Sequence, residues 1–396
     1  MTPALVALAV LVLAALFAAL ELGARAFLRA RREYFVWAPC SRVRMELDRE
    51  VLPQLEPVVR FEVNRDGERG DEVPADWSRT ARVLVAGGSV AECWFLDQET
   101  AWPAVIQREL NRPEARARLG VDRVHVGNIA RSLVDCRQID LMFARVLDRY
   151  PRLDVVLLMV GASDVVHWLE KGTPAHLEEA PIRTEDCFEE HPEGPFGWGP
   201  RTLALRRIGS RWNKRLRRPV EVRARAGKRL GDARRMRARA EVVLDEVPDP
   251  RPMLEHFEKY LRSLVARARE RAARVIVVRQ PWFEKRYTPE EAERMWNFGQ
   301  GRPYRGLVTT YYSHRVVWEL MRRVDERTRS VAEELGVEAL DLMPLLARDL
   351  EVYYDELHHT PKGCEAVGRA VAAAILRGAP EPAAPAADPV GARMRT

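Results

Sequence analysis

Two separated parts of the sequence carry residues that could together perform nucleophilic chemistry. Asp355 lies three residues before His358, where a carboxylate can orient the histidine ring and stabilise its positive charge. Such a histidine acts as a base on a nucleophile, because a neutral hydroxyl attacks poorly until its proton is removed. Ser89 is the candidate nucleophile, since it follows the apolar run 83–86 and the glycine pair 87–88 in a strand, turn and helix pattern. These residues predict acyl transfer through a serine.

Each of these residues also has an ordinary structural explanation. A serine after a strand can cap a helix, and Asp355 and His358 could be a helix-entry cap and a surface histidine. The combination, in this order and on the expected elements, favours a nucleophilic site.

Apolar runs alternate with amphipathic helical stretches from residue 82 onward, and these elements must position the site. The candidate strands are 83–86, 124–126, 154–160, 275–278 and 337–342. The candidate helices are 98–111, 135–149, 254–272, 315–335 and 363–376. Strands that alternate with helices pair in parallel and carry helices on both faces of the sheet. We therefore predict a three-layer α/β/α fold with a roughly five-stranded parallel, flavodoxin-like sheet, whose site lies at the carboxyl ends of the strands.

The first residues predict a transmembrane helix that precedes this domain. Residues 3–20 are apolar throughout, and about 18 to 20 such residues span a bilayer core. No lysine or arginine precedes the run, and four arginines follow it: Arg25, Arg29, Arg31 and Arg32. This charge pattern favours a single-pass anchor at 1–24 over a cleavable export signal. Under the positive-inside rule, the same arginines place the body of the protein in the cytoplasm.

Composition sets the remaining boundaries. With 31% charged and 47% hydrophobic residues, the chain is neither a multispanning membrane protein nor wholly disordered. We predict an irregular juxtamembrane lead-in at 25–80, a main domain at 81–378 and a disordered tail at 379–396. Residues 170–252 interrupt the alternation of strands and helices and are predicted to be an insertion.

The insertion holds most of the positive charge. Residues 201–240 carry 16 Lys or Arg against two acids, whereas the net charge of the whole chain is +6. Four apolar residues recur there at helical spacing: Leu205, Ile208, Trp212 and Leu216. Two interpretations stay open, a solvated helix that packs its apolar stripe on the core or a helix that lies on anionic headgroups. Nucleic-acid binding is disfavoured, because the segment offers charge without base-reading elements.

The sequence predicts no metal and no cofactor. Its five cysteines include no C-x-x-C pair, and a serine mechanism needs no metal ion. The spacing of four other potential ligands matches no common metal site: His167, His176, Cys187 and His191. Neither cysteine usage nor composition predicts the compartment or the oligomeric state.

Four short blocks follow one another in a recognisable order. They are Ala-Gly-Gly-Ser at 86–89, Asn-Ile-Ala at 128–130, Gly-Ala-Ser-Asp at 161–164 and Asp-x-x-His-x-Thr-Pro-x-Gly at 355–363. Together they resemble the SGNH hydrolases, also called GDSL-type esterases and lipases. The Gly-Gly-Ser form is similar to the membrane-anchored bacterial branch of that family, as are Asn-x-x-Gly-x-Arg at 64–69 and Thr-Ala-Trp-Pro at 100–103. The resemblance covers roughly residues 60–378 outside the insertion.

The resemblance implies a catalytic role for each matched residue. Ser89 attacks an ester carbonyl, His358 takes and returns the proton, and Asp355 orients the imidazole. The register of the last block selects His358 over the neighbouring His359.

The resemblance also implies an oxyanion hole that departs from the family pattern. Its donors are the backbone amides of Ser89 and Ala130 and the hydroxyl of Ser163. Alanine stands where the family has glycine, and serine stands where it has asparagine. Loss of one such donor costs about 10² to 10³ in rate, so weak activity or a shifted substrate is expected.

These observations predict a membrane-anchored serine esterase or deacylase that acts on an acylated glycan or lipid. The alternatives are an O-acyltransferase that uses the same residues and a catalytically degenerate binding or scaffold protein. The membrane contacts are predicted at residues 3–20 and in the basic segment 201–240. Proteins that resemble this one work outside the cytoplasm, so we expect an extracytoplasmic catalytic domain, although the arginines after the anchor indicate the opposite side.

Overall fold

The computed structural model describes residues 2–378, and the predicted tail at 379–396 lies outside them. The strands are β1 Arg42–Leu47, β2 Val58–Glu62, β3 Thr80–Gly87, β4 Arg123–Asn128, β5 Leu153–Met159, β6 Glu221–Ala226, β7 Val242–Leu244, β8 Ala272–Val278, β9 Thr310–Tyr312 and β10 Glu338–Leu340. The helices are α1 Pro3–Arg31, α2 Ser89–Glu92, α3 Trp102–Leu110, α4 Pro113–Leu119, α5 Cys136–Val146, α6 Ala162–Glu170, α7 Thr184–Cys187, α8 Ala204–Arg217, α9 Lys228–Ala238, α10 Arg251–Arg271, α11 Pro289–Ala292, α12 His314–Leu335 and α13 Pro361–Arg377. Single 3₁₀ turns lie at Leu147–Arg149 and Met343–Leu345.

The central sheet has five parallel strands in the order β10-β8-β5-β3-β4. Its middle strands are apolar runs without alternation, as expected when helices cover both faces. Helices α5, α6, α10 and α12 pack together on one face, and α3, α4 and α13 pack together on the other. This arrangement confirms the predicted three-layer, flavodoxin-like fold.

The strand order places a topological switch point between β3 and β5. The chain leaves β3 for β4 at one edge and then returns to β5 on the other side of β3. Parallel sheets of this kind bind ligands in the crevice at the carboxyl ends of the strands beside the switch point. Ser89 follows β3 and Ser163 follows β5, so two predicted site residues border this crevice.

The prediction of an irregular lead-in at 25–80 is wrong for part of that region. Strands β1 and β2 form an antiparallel pair, and β6 from the insertion joins β1 in parallel to make a second, three-stranded sheet. Val43, Met45 and Leu47 of β1 are buried while the residues between them are more exposed. This alternation has the period of a half-buried strand, and it is visible in the sequence.

The insertion is an integral part of the body. Its helix α9 presents Leu230, Ala233, Arg234 and Arg237 at spacing i, i+3, i+4 and i+7, which is one face of a helix. Arg234 is buried and donates to the carbonyl oxygens of Tyr354 at 2.9 Å and Arg294 at 3.0 Å. Part of the basic charge of the insertion therefore satisfies backbone groups inside the protein.

Helix α1 is longer than the predicted anchor and has two parts. It is long and apolar enough to cross a membrane, with a mean hydropathy of 2.7 over its most apolar window. Its early residues are exposed, whereas Ala24 and Leu28 are buried against Ala204, with Leu205 and Ile208 packed beside them. The last turns of α1 thus belong to the body of the protein.

Helix α8 stands alongside the end of α1. Glu21 is buried and accepts the backbone N–H groups of Ala204 at 2.8 Å and Leu205 at 3.0 Å, which caps the first turn of α8. Further along both segments, Arg211 of α8 pairs with Glu33, which follows the end of α1, at 3.2 Å. The two helices therefore run in the same direction, away from the apolar part of α1.

This packing divides the apolar stripe of α8. Leu205 and Ile208 contact the small α1 cluster, as in the first interpretation of the stripe, whereas Trp212 and Leu216 remain 63% and 72% exposed. Contact of the exposed half with lipid remains a proposal.

We expect Glu21→Ala to loosen α8 from α1. The change removes the acceptor of two backbone N–H groups, and loss of a helix cap costs about 1 kcal/mol, which is about a fivefold change in a local opening equilibrium. Trypsin should therefore cleave the arginine-rich α8 about fivefold faster in the full chain in detergent. Glu46→Ala, which removes an exposed carboxylate on β1, is the control and should leave the rate unchanged. An unchanged cleavage rate for Glu21→Ala would show that the cap contributes nothing.

Candidate active site

Ser89 is the first residue of α2, directly after β3 and the two glycines. The turn is too close to β5 and α6 for side chains at either glycine. A Cβ atom at Gly87 would overlap the carbonyl oxygen of Met159 in β5, and one at Gly88 would lie 2.9 Å from Ser163 Oγ in α6. The glycines thus allow the serine to stand at the end of the strand beside the switch point.

The structure brings Ser89, His358 and Asp355 together in one hydrogen-bonded chain. Ser89 Oγ lies 2.7 Å from His358 Nε2, although the two residues are 269 positions apart. On the other side of the ring, His358 Nδ1 lies 2.8 Å from Asp355 Oδ1 and 2.9 Å from Oδ2. This is the geometry of a nucleophile, a base and a carboxylate that orients the base.

Asp355 is 1% exposed and is held as a carboxylate by donors from the protein. The backbone N–H groups of Leu357 and His358 donate to Oδ1 at 2.9 and 2.8 Å, and Trp296 Nε1 donates to Oδ2 at 2.9 Å. Burial acts to raise the pKa of Asp355, but the charge of His358 and these hydrogen bonds outweigh it and lower the pKa to about 2. Trp296 lies 59 residues before Asp355 in the chain, and no local pattern in the sequence indicates its contact.

The two adjacent histidines have opposite electrostatic environments. Burial acts to lower the pKa of His358, but the charge of Asp355 and its hydrogen bond outweigh burial and raise the pKa. Burial lowers the pKa of His359 to about 3, with the charge of His358 as a smaller cause. The ring of His359 packs near Tyr353, with 4.9 Å between the ring centroids. The site therefore offers His358 as its base.

A buried arginine holds the short helix that carries Ser89. Arg69 is 3% exposed and donates to carbonyl oxygens at the end of α2 and just beyond it, Glu92 at 2.6 Å, Cys93 at 2.7 Å and Leu96 at 2.7 Å. Four residues are too few for a stable helix, and its final carbonyl groups need partners. Arg69 supplies them, a role that its sequence pattern did not indicate.

The rest of the 64–69 pattern forms the turn that delivers Arg69. Asn64 Oδ1 accepts the N–H groups of Asp66 at 2.9 Å and Glu68 at 3.1 Å. Gly67 has a φ of +75°, and a Cβ there would lie 2.7 Å from the Phe35 ring. Asn64 and Gly67 are thus required to form the turn. Arg69 is required to bind the end of α2.

The structure does not support the predicted oxyanion role of Ala130. Its N–H donates to Asn128 Oδ1 at 2.8 Å, and the residue is 1% exposed. Leu133 lies three residues further along, has a φ of +62° and lines the same cavity as Ser89. Among residues 2–378 no backbone carbonyl accepts its N–H. A leucine with positive φ is uncommon, and nothing in its sequence context predicts this conformation.

Ser163 lies where the sequence predicted a donor. It is in the first turn of α6, and it lines one cavity together with Ser89 and His358. Gly161 before it has a φ of +113°, and a Cβ there would lie 2.6 Å from a Val324 methyl group. The hydroxyl of Ser163 lies beside the turn that carries Ser89, since a Cβ at Gly88 would be 2.9 Å from it.

The buried carboxyl group of Glu92 connects α2 to the loop that contains Ser132 and Leu133. Glu92 lies one turn after Ser89, and its side chain accepts a hydrogen bond from the hydroxyl of Ser132. Burial raises the pKa of Glu92 to about 7, against the hydrogen bond from Ser132 and the charge of Arg131. Glu92 thereby binds the residue that precedes Leu133, a contact that no motif in the sequence indicates.

The described part of the chain contains no group of three or more His, Cys, Asp or Glu that could hold a metal ion. Of the potential ligands considered in the sequence, His167 contacts Asp135, with Nδ1 3.2 Å from Oδ2.

No protein-family model and no curated protein sequence match the chain. Solved structures do match it. The alpha/beta hydrolase enzyme LAE5 from the metagenome of Lake Arreo, Spain, is 14% identical, with 74% of this chain and 94% of that chain covered and a TM-score of 0.41. The acetylxylan esterase Axe2 of Geobacillus stearothermophilus is also 14% identical, with the same coverage of both chains and a TM-score of 0.40. These scores are too low to support a statement on activity.

We expect Glu92→Ala to lower kcat by about tenfold to a hundredfold and to change KM by less than about threefold. The change frees Ser132 and with it the backbone N–H of Leu133, which we expect to donate to the oxyanion. Loss of such a donor acts on the transition state more than on the bound substrate. Ester hydrolysis by the full chain in detergent gives both constants. Glu92→Gln keeps the shape and one acceptor, so it should retain most of kcat. A reduced thermal stability with unchanged kcat would show that Glu92 is only structural.

Proposed function

We propose that this protein is a membrane-anchored serine esterase that acts through an acyl-serine intermediate on an ester of a glycan or a lipid. The observation that carries the proposal is the chain of contacts from Ser89 Oγ through His358 to the buried Asp355. A catalytically degenerate binding protein has no need of these contacts. The geometry therefore favours an enzyme.

The geometry implies the following steps. His358 Nε2 removes the proton of Ser89 as the oxygen attacks the ester carbonyl, and Asp355 stabilises the resulting imidazolium. His358 then gives the proton to the departing alcohol, which leaves an acyl-serine. Water attacks this ester with His358 again as the base, and the acid and free Ser89 are released. A sugar hydroxyl in place of water would make the same site an O-acyltransferase.

The oxyanion of each tetrahedral intermediate needs donors at the crevice. In our proposal these are the backbone N–H of Ser89, the backbone N–H of Leu133 and the hydroxyl of Ser163. Two amides and one hydroxyl are sufficient in number for such a hole. Leu133 replaces Ala130, whose N–H is already used inside the protein.

Helix α1 supports the membrane part of the proposal. Its apolar residues are exposed in the structure and need a nonpolar environment, whereas its last turns are packed against the body. Arg25 is one of the four arginines that, under the positive-inside rule, indicate a cytoplasmic body. It pairs with buried Glu21 at 2.8 Å and donates to Gly197 O at 2.6 Å. Its presence thus has a structural reason, which weakens the charge argument against an extracytoplasmic catalytic domain.

Ser89→Ala should abolish esterase activity. We expect the wild-type full chain in detergent to hydrolyse p-nitrophenyl acetate and to be labelled by a fluorophosphonate at Ser89, and the variant to lose about 10³-fold or more of kcat and all labelling. Ser78→Ala, an exposed serine whose hydroxyl pairs with Asp76, is the matched control. Equal hydrolysis by wild type and Ser89→Ala would sink the proposal. Addition of a glycan acceptor to the acyl-enzyme distinguishes hydrolysis from transfer.

The activity should fall on the acid side at a higher pH than for an ordinary histidine. His358 must be neutral to accept the proton, and Asp355 raises its pKa above the usual value of about 6.5. Asp355→Asn removes this charge, so the acid limb of kcat/KM should move to lower pH while kcat falls by about 10⁴. Glu351→Gln, at an exposed carboxylate nearby, should leave the profile unchanged. An acid limb that is identical in wild type and Asp355→Asn contradicts the assignment.

A further inference from the structure

The cavity at Ser89 is mainly apolar. It has a volume of about 240 Å³ and is lined by aromatic and aliphatic side chains beside the catalytic groups. The apolar lining includes Trp94, Phe95, Val166, Leu230, Ala233 and Leu357. A ligand pocket with this composition recognises nonpolar groups and uses its few polar groups for orientation.

The remaining polar side chains of the cavity are partly satisfied within the protein. His167 Nδ1 lies 3.2 Å from Asp135 Oδ2, and Asn297 Oδ1 accepts the N–H of Phe298 at 2.8 Å. Of the lining residues, Arg229 carries the one permanent positive charge. Such a lining is better suited to a hydrocarbon chain than to the many hydroxyl groups of a sugar ring.

Helix α9 of the insertion builds one wall of this cavity. Leu230 and Ala233 line it, while Arg234 and Arg237 on the same helix face donate to backbone carbonyl oxygens. The carbonyl of Tyr354, which accepts from Arg234 at 2.9 Å, belongs to the residue before Asp355. The wall is thus fixed directly to the loop that carries the base.

The volume exceeds what an acetyl group needs. An apolar cavity of about 150 Å³ in another protein holds benzene, which has six carbons. An acetate ester would leave most of the α9 wall in contact with water, whereas a longer chain would cover it.

We propose that α9 forms the wall of an acyl-chain pocket and that the protein acts on esters of medium-chain acyl groups, with about six to eight carbons. This inference rests on the proposed esterase function and adds the class of acyl group. The insertion then determines specificity, with Ala233 and Leu230 as the residues that set chain length.

A series of p-nitrophenyl esters tests the pocket with the full chain in detergent. From acetate through butyrate to hexanoate, kcat/KM should rise by about three- to fourfold for each methylene, because each moves from water into the cavity. The highest value is expected at hexanoate or octanoate. A maximum at acetate would overturn the proposal.

Two variants should move the preference in opposite directions. Ala233→Leu fills part of the cavity and should lower the ratio of hexanoate to acetate activity by about tenfold or more. Leu230→Ala enlarges it and should raise the ratio of octanoate to hexanoate activity by about threefold. Arg235→Ala, on the exposed side of α9 where Arg235 pairs with Asp232, is the matched control and should leave both ratios unchanged.

Fluorophosphonate labelling of Ser89 shows that each variant is folded. Labelled variants whose activities on all esters change equally would overturn the pocket while the esterase function stands. If the wild-type protein hydrolyses no ester and is not labelled, the proposed function itself fails.

The medium-chain acyl group could be carried by a lipid or by a glycan. Release of hexanoate from dihexanoyl phosphatidylcholine or from a hexanoylated glucose supports the pocket and identifies the alcohol that the site accepts. Release from neither, by a protein that hydrolyses p-nitrophenyl acetate, contradicts the proposal.

Discussion

The charge on Asp355 is the constraint on which the site and much of its surroundings depend. A carboxylate that water cannot reach is stable only where the protein supplies donors and an opposite charge. Its donors are backbone N–H groups of the residues just after it and the indole N–H of Trp296, which lies between α11 and β9. The loop must therefore be rigid, and Arg234 contributes to this by binding the carbonyl of Tyr354. The same carboxylate accepts from the ring of His358, which in turn contacts Ser89 Oγ.

Arginine has a related structural use at several places in the molecule. Arg69 and Arg234 are each buried against backbone carbonyl oxygens of irregular segments, one beside the nucleophile and one beside the acid. A guanidinium group has five N–H donors in a fixed plane, so it can satisfy several carbonyl groups that no helix or strand pairs. A high arginine content in the insertion thus does not by itself indicate an anionic partner. Arg234 of the insertion, for example, binds the carbonyl of Tyr354, the residue before Asp355.

The sequence allowed the fold to be predicted, and it singled out three residues that the structure brings together: Ser89, Asp355 and His358. Apolar runs identified the five strands of the central sheet, and the register of the block at 355–363, by its resemblance to a family, selected His358 over His359. The supporting residues could not be found in this way. The acceptors of Arg69 are carbonyl groups more than 20 residues away in the chain, and these have no residue type to recognise. The contact between Glu92 and Ser132, next to Leu133, likewise forms only after folding.

The insertion connects α1 to the cavity at Ser89 through successive elements. Its helix α8 packs on the end of α1, its strand β6 pairs with β1, and its helix α9 lines the cavity and binds the catalytic loop. The residues after α1 are also packed, since Val36 is fully buried and Phe35 pairs with Glu190 through the backbone. A flexible linker would allow the cavity to sample many heights above a bilayer. Here the contacts fix the cavity relative to α1. If α1 spans a membrane, as we propose, Ser89 therefore stands at one distance from the bilayer.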